Sequence, residues 1–409
     1  MTPLRIAFVP LVRTTFDVAF ANEMIVAAHQ QLVDAGYELI GPESSVTSLE
    51  DAQRVRDELI GADYDLLLIF QATFADSTLV TELAQAAGSP IFLWAVPEPW
   101  TGSRLRLNSL CGINLAGHAL RLRGIKYAYG YGTPSDSAII AAVETLASVG
   151  ALLKKLRLTR FGVVGEHPAG MDSCHLDPAT LKDKFGVTVE TIPLTEVFQR
   201  ARVVSDERIR QVRHGLDQSL NNLAELDPGP LKGTLQVYSA LRDLAAEKDL
   251  AGLAVRCWPE FFTELGCAAC GAMSMLSDGF AQHRPIPCGC EADINGTLTQ
   301  FILQNLSSSP AFGTDIVGVD QSADQIALWH CGLAPLSMAD PTEQPKGTIH
   351  SNRQLPLLMD FTLKPGKVTI ARLSRAAGDL RFVIGEGEML RAPKPFSGTA
   401  GTLRLTFPA

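Results

Sequence analysis

The residues best suited to chemistry in this sequence are carboxylates that follow two successive strand-like segments. Glu260 follows GLAVRCWP, and Glu291 and Asp293 follow PIPCGC, each just before a helical pattern. Ligands of open parallel sheets bind beyond the carboxyl ends of the strands, so neighbouring strands would bring these carboxylates into one small volume. Two such carboxylates can hold a hard divalent cation, or one can act as a general base whose pKa is raised by burial.

Helix capping is the alternative explanation for these carboxylates. Acidic residues favour helix N-termini because of the unpaired N–H groups and the helix dipole. Asp293 in particular fits the N-cap of a helix predicted over Ile294–Leu306. Either junction alone favours capping. Two junctions in succession, the first also carrying Arg256 and Trp258, favour a site.

Two histidines could complete a metal site with these carboxylates. His330 ends the apolar run QIALWH, and His350 lies in GTIHSN, just before a β-rich tail. Imidazole is compatible with Mn, Fe, Co or Zn. We favour His350 because it follows a loop among polar residues, whereas a histidine that ends an apolar run is usually a core residue. Asp315 is a further acidic candidate, and a surface role fits it equally well.

The cysteines invite a zinc interpretation at Cys267-x-x-Cys270 and Cys288-x-Cys290. The first pair lies inside a helical pattern predicted over 260–278, where thiols pack as small apolar side chains. Zinc ribbons place CxxC in turns and need a matching second pair, which this chain lacks. The sequence also lacks GxSxG, the phosphate-binding GxxxxGK[ST], and GxGxxG after the first strand.

Polar and aromatic residues also cluster around strand-like segments near the start of the chain. Arg13 follows the first strand, and Trp94, Trp100 and Arg104 lie in or after the strand PIFLWAV. Together they suit a polar ligand with an apolar face, such as a sugar. Packing is the alternative for a tryptophan at a strand end.

The elements that must position these residues follow a β–α rhythm through about three-quarters of the chain. We predict an α/β protein with two Rossmann-like parallel-sheet domains followed by a smaller antiparallel β-rich C-terminal domain. The predicted boundaries are 1–132, 133–310 and 311–409. A helix capped by Thr133, with Pro134 at its first position, is predicted to run to about Leu156 and to cross between the first two domains.

Composition narrows the class of protein. The chain has 409 residues, 46% of them hydrophobic, which is enough to build real cores. The net charge of −9 and the lack of a Lys/Arg cluster make nucleic acid a poor candidate partner. No signal peptide and no stretch of about 20 uninterrupted apolar residues is present, so we expect a soluble cytoplasmic protein with reduced thiols and no membrane partner.

The combined motifs resemble a known family. RCWPEFF, CGCEADINGTLT, WHCGLAP and GTIHSN, followed by LKPGKVTIARL and GEGEML, resemble the L-fucose/L-arabinose isomerase superfamily in its shorter fucose-isomerase-like branch. The resemblance implies an oligomeric aldose–ketose isomerase that uses Mn²⁺, or another divalent cation such as Mg²⁺ or Co²⁺. It also implies that the N-terminal domain of a neighbouring subunit closes the sugar site of a homo-oligomer.

The resemblance also assigns roles to individual residues. It implies that Glu260 and Asp293 are metal ligands, that one of them doubles as the base, and that His350 (alternatively His330) is the third ligand. In an enediolate mechanism, Arg256 or His330 is expected to stabilise oxygen charge or to shuttle hydroxyl protons. Substrate contacts are expected from the following residues: Arg13, Trp94, Trp100, Arg104, Trp258, Glu291, His330 and Asn352.

The predicted function is metal-dependent isomerisation of a monosaccharide or modified sugar through an enediol or enediolate. Two alternatives stay open. One is a non-catalytic sugar-binding or regulatory protein on the same scaffold. The other is a metal-dependent epimerase or lyase that shares the enolisation step.

Overall fold

The structure is a computed structural model that describes residues 3–175 and 177–406. The chain forms two compact units, the first ending at Leu156 and the second beginning at Arg157. The elements of the first unit are β1 (Arg5–Leu11), α1 (Val18–Asp34), β2 (Glu38–Ile40), α2 (Leu49–Leu59), β3 (Leu66–Gln71), α3 (Ser77–Leu83), β4 (Ile91–Ala95), α4 (Ser109–Leu122), β5 (Ala128–Tyr131) and α5 (Ser137–Arg157).

The first unit is built on a five-stranded parallel sheet. Its strand order is β2-β1-β3-β4-β5. Every residue of β3 and β4 is buried, because helices cover both faces of a parallel sheet and leave no face for polar side chains. The chain leaves β1 toward β2 on one side and returns with β3 on the other. The carboxyl ends of β1 and β3 therefore flank the crevice where such sheets bind ligands.

Helix α5 belongs to the core of the first unit. Ile139, Val143 and Ala147 are buried in the same cluster as the sheet residues Phe92 and Trp94. Among the described residues α5 is the one helix long and apolar enough to cross a membrane, by length and composition alone. A helix that packs on a sheet core passes the same test, so α5 does not by itself indicate a membrane protein.

The start of α5 differs from the prediction. The helix begins at Ser137 rather than at Pro134. The Asp136 carboxylate accepts the Ala138 N–H at 2.9 Å. The residue that caps the first turn is therefore Asp136 rather than Thr133. The sequence T-P-S-D offered two acceptors in a row, and spacing alone did not distinguish them.

The second unit contains an α/β region and a β-rich region. Its elements are β6 (Arg160–Val164), α6 (Pro178–Phe185), β7 (Thr188–Ile192), α7 (Leu194–Arg202), α8 (Asp206–Asp217), α9 (Pro228–Glu247), β8 (Leu250–Val255), α10 (Glu260–Glu264), α11 (Cys270–Asp278), β9 (Cys288–Gly289), α12 (Ile294–Ser307), β10 (Asp315–Asp320), β11 (Gln325–His330), β12 (Lys346–Thr348), β13 (Leu358–Thr362), β14 (Gly366–Ser374), β15 (Arg381–Leu390) and β16 (Thr399–Thr406).

The α/β region of the second unit repeats the parallel design with four strands. The order is β7-β6-β8-β9, and all pairs are parallel. Its topological reversal lies between β6 and β8, so the crevice rule points to the carboxyl ends of those two strands. The predicted fold class, two parallel-sheet α/β regions followed by a β-rich region, is confirmed.

The helix predicted over 260–278 is interrupted. It divides into α10 and α11 because the backbone N–H groups between them find partners outside the helix. Ala268 N–H donates to Pro356 O at 2.9 Å, and Gly271 N–H donates to Leu357 O at 2.9 Å. Carbonyls of a segment distant in sequence thus replace the i−4 carbonyls as hydrogen-bond acceptors. The CxxC pair lies at this break, and Cys270 is the first residue of α11.

The β-rich region is continuous with the α/β region of the second unit. Strands β10, β11, β16, β13 and β12 form its sheet, β15 pairs with β14 and β16, and the β13–β16 pair is parallel. One buried cluster includes Val164 and Leu253 of the α/β sheet together with Phe361 and Leu403 of the β-rich sheet. The boundaries at 132/133 and 310/311 stay predictions, and this shared core shows how closely the two regions pack.

Candidate functional residues at two sheet edges

The carboxyl-end edge of the sheet β7-β6-β8-β9, here called the second edge, gathers most of the predicted catalytic residues. Glu166 follows β6, the segment from Arg256 to Glu260 follows β8, and the segment from Cys290 to Asp293 follows β9. Arg256 N–H donates to Val164 O at 2.9 Å and so continues the β6–β8 ladder at the topological reversal. These residues therefore lie at the carboxyl ends of neighbouring strands, as the sequence analysis expects.

Glu260 is held by Arg256. The guanidinium Nε lies 2.9 Å from Oε2, and Nη2 lies 2.8 Å from Oε1, a bidentate pair at i,i+4 spacing. The same guanidinium reaches Glu166 O at 3.5 Å. Both side chains are about a quarter exposed. In this arrangement both oxygens of Glu260 are occupied by a cation of the chain itself.

Asp293 is an N-cap residue. Its Oδ1 accepts the Gly296 N–H at 2.9 Å at the start of α12, as the capping explanation predicts. Its Oδ2 is paired with Arg372 of β14, whose other terminal nitrogen donates to Ser173 O at 2.8 Å. The carboxylate is partly buried and fully used by these two contacts.

Glu291 has a different environment. Glu291 and Ala292 both adopt positive φ, +59° and +53°, a conformation that L side chains pay to adopt. Burial raises the pKa of Glu291, the His330 imidazole counteracts this, and Asp315 adds to the rise. The Trp258 indole lies near the Glu291 carboxylate and favours its ionised form, which opposes the rise in the pKa of Glu291. No described arginine or lysine forms an ion pair with Glu291.

His330 lies in the same neighbourhood. Its Nδ1 accepts the Cys331 N–H at 2.8 Å. Burial lowers the pKa of His330, and the nearby Asp315, Cys257 and Glu291 oppose that shift. A neutral imidazole whose Nδ1 is an acceptor carries its proton on Nε2, so His330 presents a hydrogen-bond donor on that side.

His350 is arranged similarly. Its Nδ1 accepts the Asn352 N–H at 3.2 Å, and its ring meets Phe262 edge to face at 5.2 Å. Burial lowers its pKa, with Arg353 and His330 acting in the same direction. Asn352 itself is exposed and contributes its backbone rather than its side chain here.

The predicted metal triad does not fit a cation in this arrangement. Glu260 and Asp293 are each paired with an arginine of the chain, so neither carboxylate is free to bind a cation as it stands. Across residues 3–175 and 177–406, no three His, Cys, Asp or Glu side chains are grouped closely enough to hold a metal. The ligand set and Mn²⁺ stay predictions from the family resemblance.

The carboxyl-end edge of the first sheet, here called the first edge, carries cations and aromatic rings. Arg13 follows β1, and its guanidinium lies 5.5 Å from the Phe74 ring centroid. Arg104 Nη2 donates to Thr15 O at 2.6 Å, and Trp100 is 97% exposed. No acidic side chain of the described residues pairs with either arginine, so both guanidiniums are available to an anion.

The loop that carries Trp100 and Arg104 is organised by Glu98, a residue that the sequence analysis missed. Its carboxylate accepts the backbone N–H groups of Arg106, Leu107 and Asn108 at 2.5, 2.9 and 2.7 Å. Burial opposes ionisation, but these three donors outweigh it and lower the pKa of Glu98. The one hint in the sequence is that Glu98 lies between two prolines, a pattern that indicates only a turn.

Relatives of this chain are sugar isomerases. A family model described as the N-terminal domain of fucose/sulfoquinovose isomerases matches residues 7–157. A protein named sulfoquinovose isomerase from Alkalicoccus urumqiensis is 33% identical over 408 residues, covering 99% of this chain and 90% of the relative. Proteins with the same name from Priestia aryabhattai and from Clostridium sp. (strain MSTE9) are 32% and 29% identical, each covering 98% of this chain and 89% of the relative.

This chain belongs to the fucose/sulfoquinovose isomerase family. The resemblance identified from the motifs is thereby confirmed, and the chain is an aldose–ketose isomerase. An aldose–ketose isomerase must move a hydrogen between two adjacent carbons of an open-chain sugar. The second edge provides carboxylates and imidazoles for that task, and the first edge provides cationic and aromatic groups.

One predicted substrate contact of this isomerase needs correction. Trp94 has no exposed surface, its indole N–H donates to Gly132 O at 2.9 Å, and its ring meets Phe70 edge to face at 4.9 Å. A ligand cannot reach it, because it is a core residue on a strand covered on both faces. The packing alternative for a tryptophan in a strand therefore applies to Trp94.

Proposed function

We propose that this isomerase interconverts sulfoquinovose, a glucose-like aldose with a sulfonate on C6, and the corresponding 2-ketose. The observation that carries the proposal is its similarity, over 98–99% of its length, to relatives named for that activity. The free arginines of the first edge support it, because a sulfonate is a permanent anion that guanidinium groups bind with charge-assisted hydrogen bonds.

The proton transfer is assigned to Glu291. A base must remove the C2 proton of the open-chain aldose and return it to C1, while a proton moves between the two oxygens. Glu291 is partly buried, faces the Trp258 indole and is not neutralised by an arginine of the described chain. The Nε2–H of His330 is a donor for the oxygen that gains negative charge in the enediolate.

Glu260 and Asp293, the bases that the resemblance implies, are weaker candidates in this arrangement. Each of these carboxylates is engaged by an arginine of the chain, and that contact must be given up before the carboxylate can take a proton from carbon. No step of the proposal uses a bound cation, because these two side chains do not fit one as they stand.

Sulfonate recognition is assigned to Arg13 and Arg104. Both follow strands of one parallel sheet, and Arg104 is tied to the loop of Arg13 through Thr15 O. Trp100 supplies an exposed aromatic face in the same loop as Arg104. We also propose that the protein acts in the cytoplasm as a homo-oligomer, and its eight free cysteines suit a reducing compartment.

The deciding experiment is turnover of sulfoquinovose in D₂O, followed at C1 and C2 by NMR. The protein is assayed as purified, after chelator treatment, and with added Mn²⁺. We expect the 2-ketose to form with deuterium at C1, which reports proton transfer through an enediol. Conversion of a non-sulfonated aldose but not of sulfoquinovose would overturn the substrate. A C2 epimer or a cleaved product would assign epimerase or lyase chemistry instead.

A further inference from the structure

Four cysteines of the second unit converge beside Glu291 and His330. Cys270 Sγ and Cys331 Sγ are 3.3 Å apart, although 61 residues separate them in sequence. Cys257 and Cys290 form a second pair, in which the Cys257 thiol, together with burial, raises the pKa of Cys290. The proton transfer proposed above uses none of these thiols, and no three of the described metal-ligating side chains are grouped to hold a metal.

The first pair is held in place by one strand. Gly271 follows Cys270, and a Cβ at that position would lie 2.5 Å from Leu357 O. Gly332 follows Cys331 at φ +133°, and a Cβ there would lie 2.7 Å from Met359 N. Because neither glycine has a Cβ, both segments can pack directly against the backbone of residues 357–359. The two thiols face each other because their segments pack against the same strand.

Backbone hydrogen bonds hold both segments against this strand. Gly271 N–H donates to Leu357 O at 2.9 Å, and Met359 N–H donates to Gly332 O at 3.0 Å. The strand itself lies in the core, with Leu357, Leu358 and Met359 fully buried. A bond between the sulfurs needs an approach of a little over 1 Å, given a disulfide length of about 2 Å, which side-chain rotation can provide.

We propose that Cys270 and Cys331 form a reversible disulfide when the enzyme meets a peroxide, and that this modification lowers isomerase activity. Cys331 is partly exposed, whereas Cys270 is 2% exposed. Cys331 is therefore the thiol that the oxidant reaches, and Cys270 is the resolving thiol.

The reaction balances with one peroxide per disulfide. Cys331 sulfur attacks one oxygen of H₂O₂, the O–O bond breaks, and a sulfenic acid and one water form. Cys270 sulfur then attacks the sulfenic sulfur, the S–O bond breaks, and the second water leaves with the Cys270 proton. Each sulfur loses one electron, and the peroxide is reduced to two waters. A dithiol reverses the change by thiol–disulfide exchange.

The effect on activity follows from the position of His330. Its Nδ1 accepts the Cys331 N–H and lies 3.1 Å from Cys331 Sγ. Drawing Cys331 toward Cys270 changes both contacts, and with them the imidazole that we assign to the enediolate oxygen. The activity loss therefore depends on the proposed role of His330, whereas disulfide formation does not.

The test treats the full-length enzyme with H₂O₂, then blocks free thiols and digests it with a glutamyl endopeptidase. That protease separates the two cysteines by cleaving after Glu291, and tandem mass spectrometry of the cross-linked peptides then assigns the bond, because Cys267, Cys288 and Cys290 share a peptide with Cys270. We expect a Cys270–Cys331 cross-linked peptide, loss of two of the eight titratable thiols, and at least a tenfold fall in kcat that a dithiol restores. Cys270→Ser should keep most of its own untreated activity under the same dose.

Cys111→Ser is the matched control, because Cys111 is an exposed thiol in the first unit. This variant should be inactivated like the wild type. The proposal is overturned if the cross-link joins only Cys257 and Cys290, or if no cross-link forms while thiols are lost. Cross-linking with unchanged activity would overturn the claim that the disulfide lowers isomerase activity, whereas the claim that Cys270 and Cys331 form a disulfide would stand. None of these readouts depends on sulfoquinovose being the substrate, since any aldose that is turned over serves.

Discussion

The two parallel sheets share a topology but differ in what they present at their carboxyl ends. The first edge shows exposed arginines and an exposed tryptophan. The second edge shows partly buried carboxylates, imidazoles and thiols. Exposed cations suit recognition of a permanent anion, whereas burial is what tunes a carboxylate for proton transfer. The same crevice rule therefore supports two separate tasks, and the comparison can be tested at each edge.

The largest effect should come from Glu291→Gln at the second edge. The amide cannot accept the C2 proton, so we expect kcat to fall by about 10²–10⁴-fold with a small change in KM. Steady-state kinetics and deuterium incorporation both measure it. Glu343→Gln, at an exposed position in the same unit, is the matched control.

Glu260→Gln sharpens the same test. If Glu260→Gln abolishes turnover while Glu291→Gln stays within twofold of wild type, the base belongs to the arginine-paired carboxylate, and the assignment to Glu291 is wrong. The family resemblance would then describe the site better than the arrangement of the side chains in this structure.

An intermediate effect is expected at the first edge. Arg13→Gln and Arg104→Gln should each raise KM for sulfoquinovose by about 10- to 100-fold, since a charge-assisted hydrogen bond contributes about 1.5–3 kcal/mol. The KM for a non-sulfonated aldose should not change. Arg121→Gln, an exposed arginine at the other end of α4, is the control. An equal rise in KM for both sugars would show that the two arginines do not recognise the sulfonate.

The smallest effect should come from Glu98→Gln, which weakens the loop that supports the first edge. The amide keeps one acceptor oxygen but loses the charge, so we expect a loss of about 1–2 kcal/mol in the free energy of unfolding at neutral pH. Urea unfolding measures it, with the exposed Glu43→Gln as control.

The effect of Glu98 should depend on pH. Its pKa is lower in the folded protein than in the unfolded chain, so its contribution is complete above the unfolded value of about 4.3. As the pH falls through the folded pKa, the carboxylate is protonated and the contribution disappears. The difference between wild type and Glu98→Gln should therefore shrink in acid. A difference that stays constant down to acid unfolding would contradict the carboxylate's role.

The sheet edges could be predicted from the sequence, because buried parallel strands are continuous apolar runs and polar residues mark where they end. Leu66–Gln71 and Ile91–Ala95 are strands of this kind. The cap at Asp293 was also predictable, since it depends on residues three positions away. Both features depend on interactions between residues close together in the chain, and such interactions can be recognised in a single sequence.

The partners of the carboxylates could not be predicted. Arg372 reaches Asp293 from 79 residues away, on a strand whose register no local pattern sets. The break in the helix after Glu264 likewise depends on carbonyls near Leu357, about 90 residues further along the chain. The thiol pair at Cys270 and Cys331 arises from the same long-range packing, so a sequence search for CxxC spacing missed it.

The position of β16 has a consequence for how the protein is made. This late strand pairs with β11, β13 and β15, and Leu403 lies in the core shared by the whole second unit. On a ribosome the first unit can fold while synthesis continues, but the second lacks this central strand until residues 399–406 have been made. At about 5–20 residues per second, the roughly 240 residues before that strand take about 12–50 s to synthesise, so chaperone binding should matter more for the second unit than for the first.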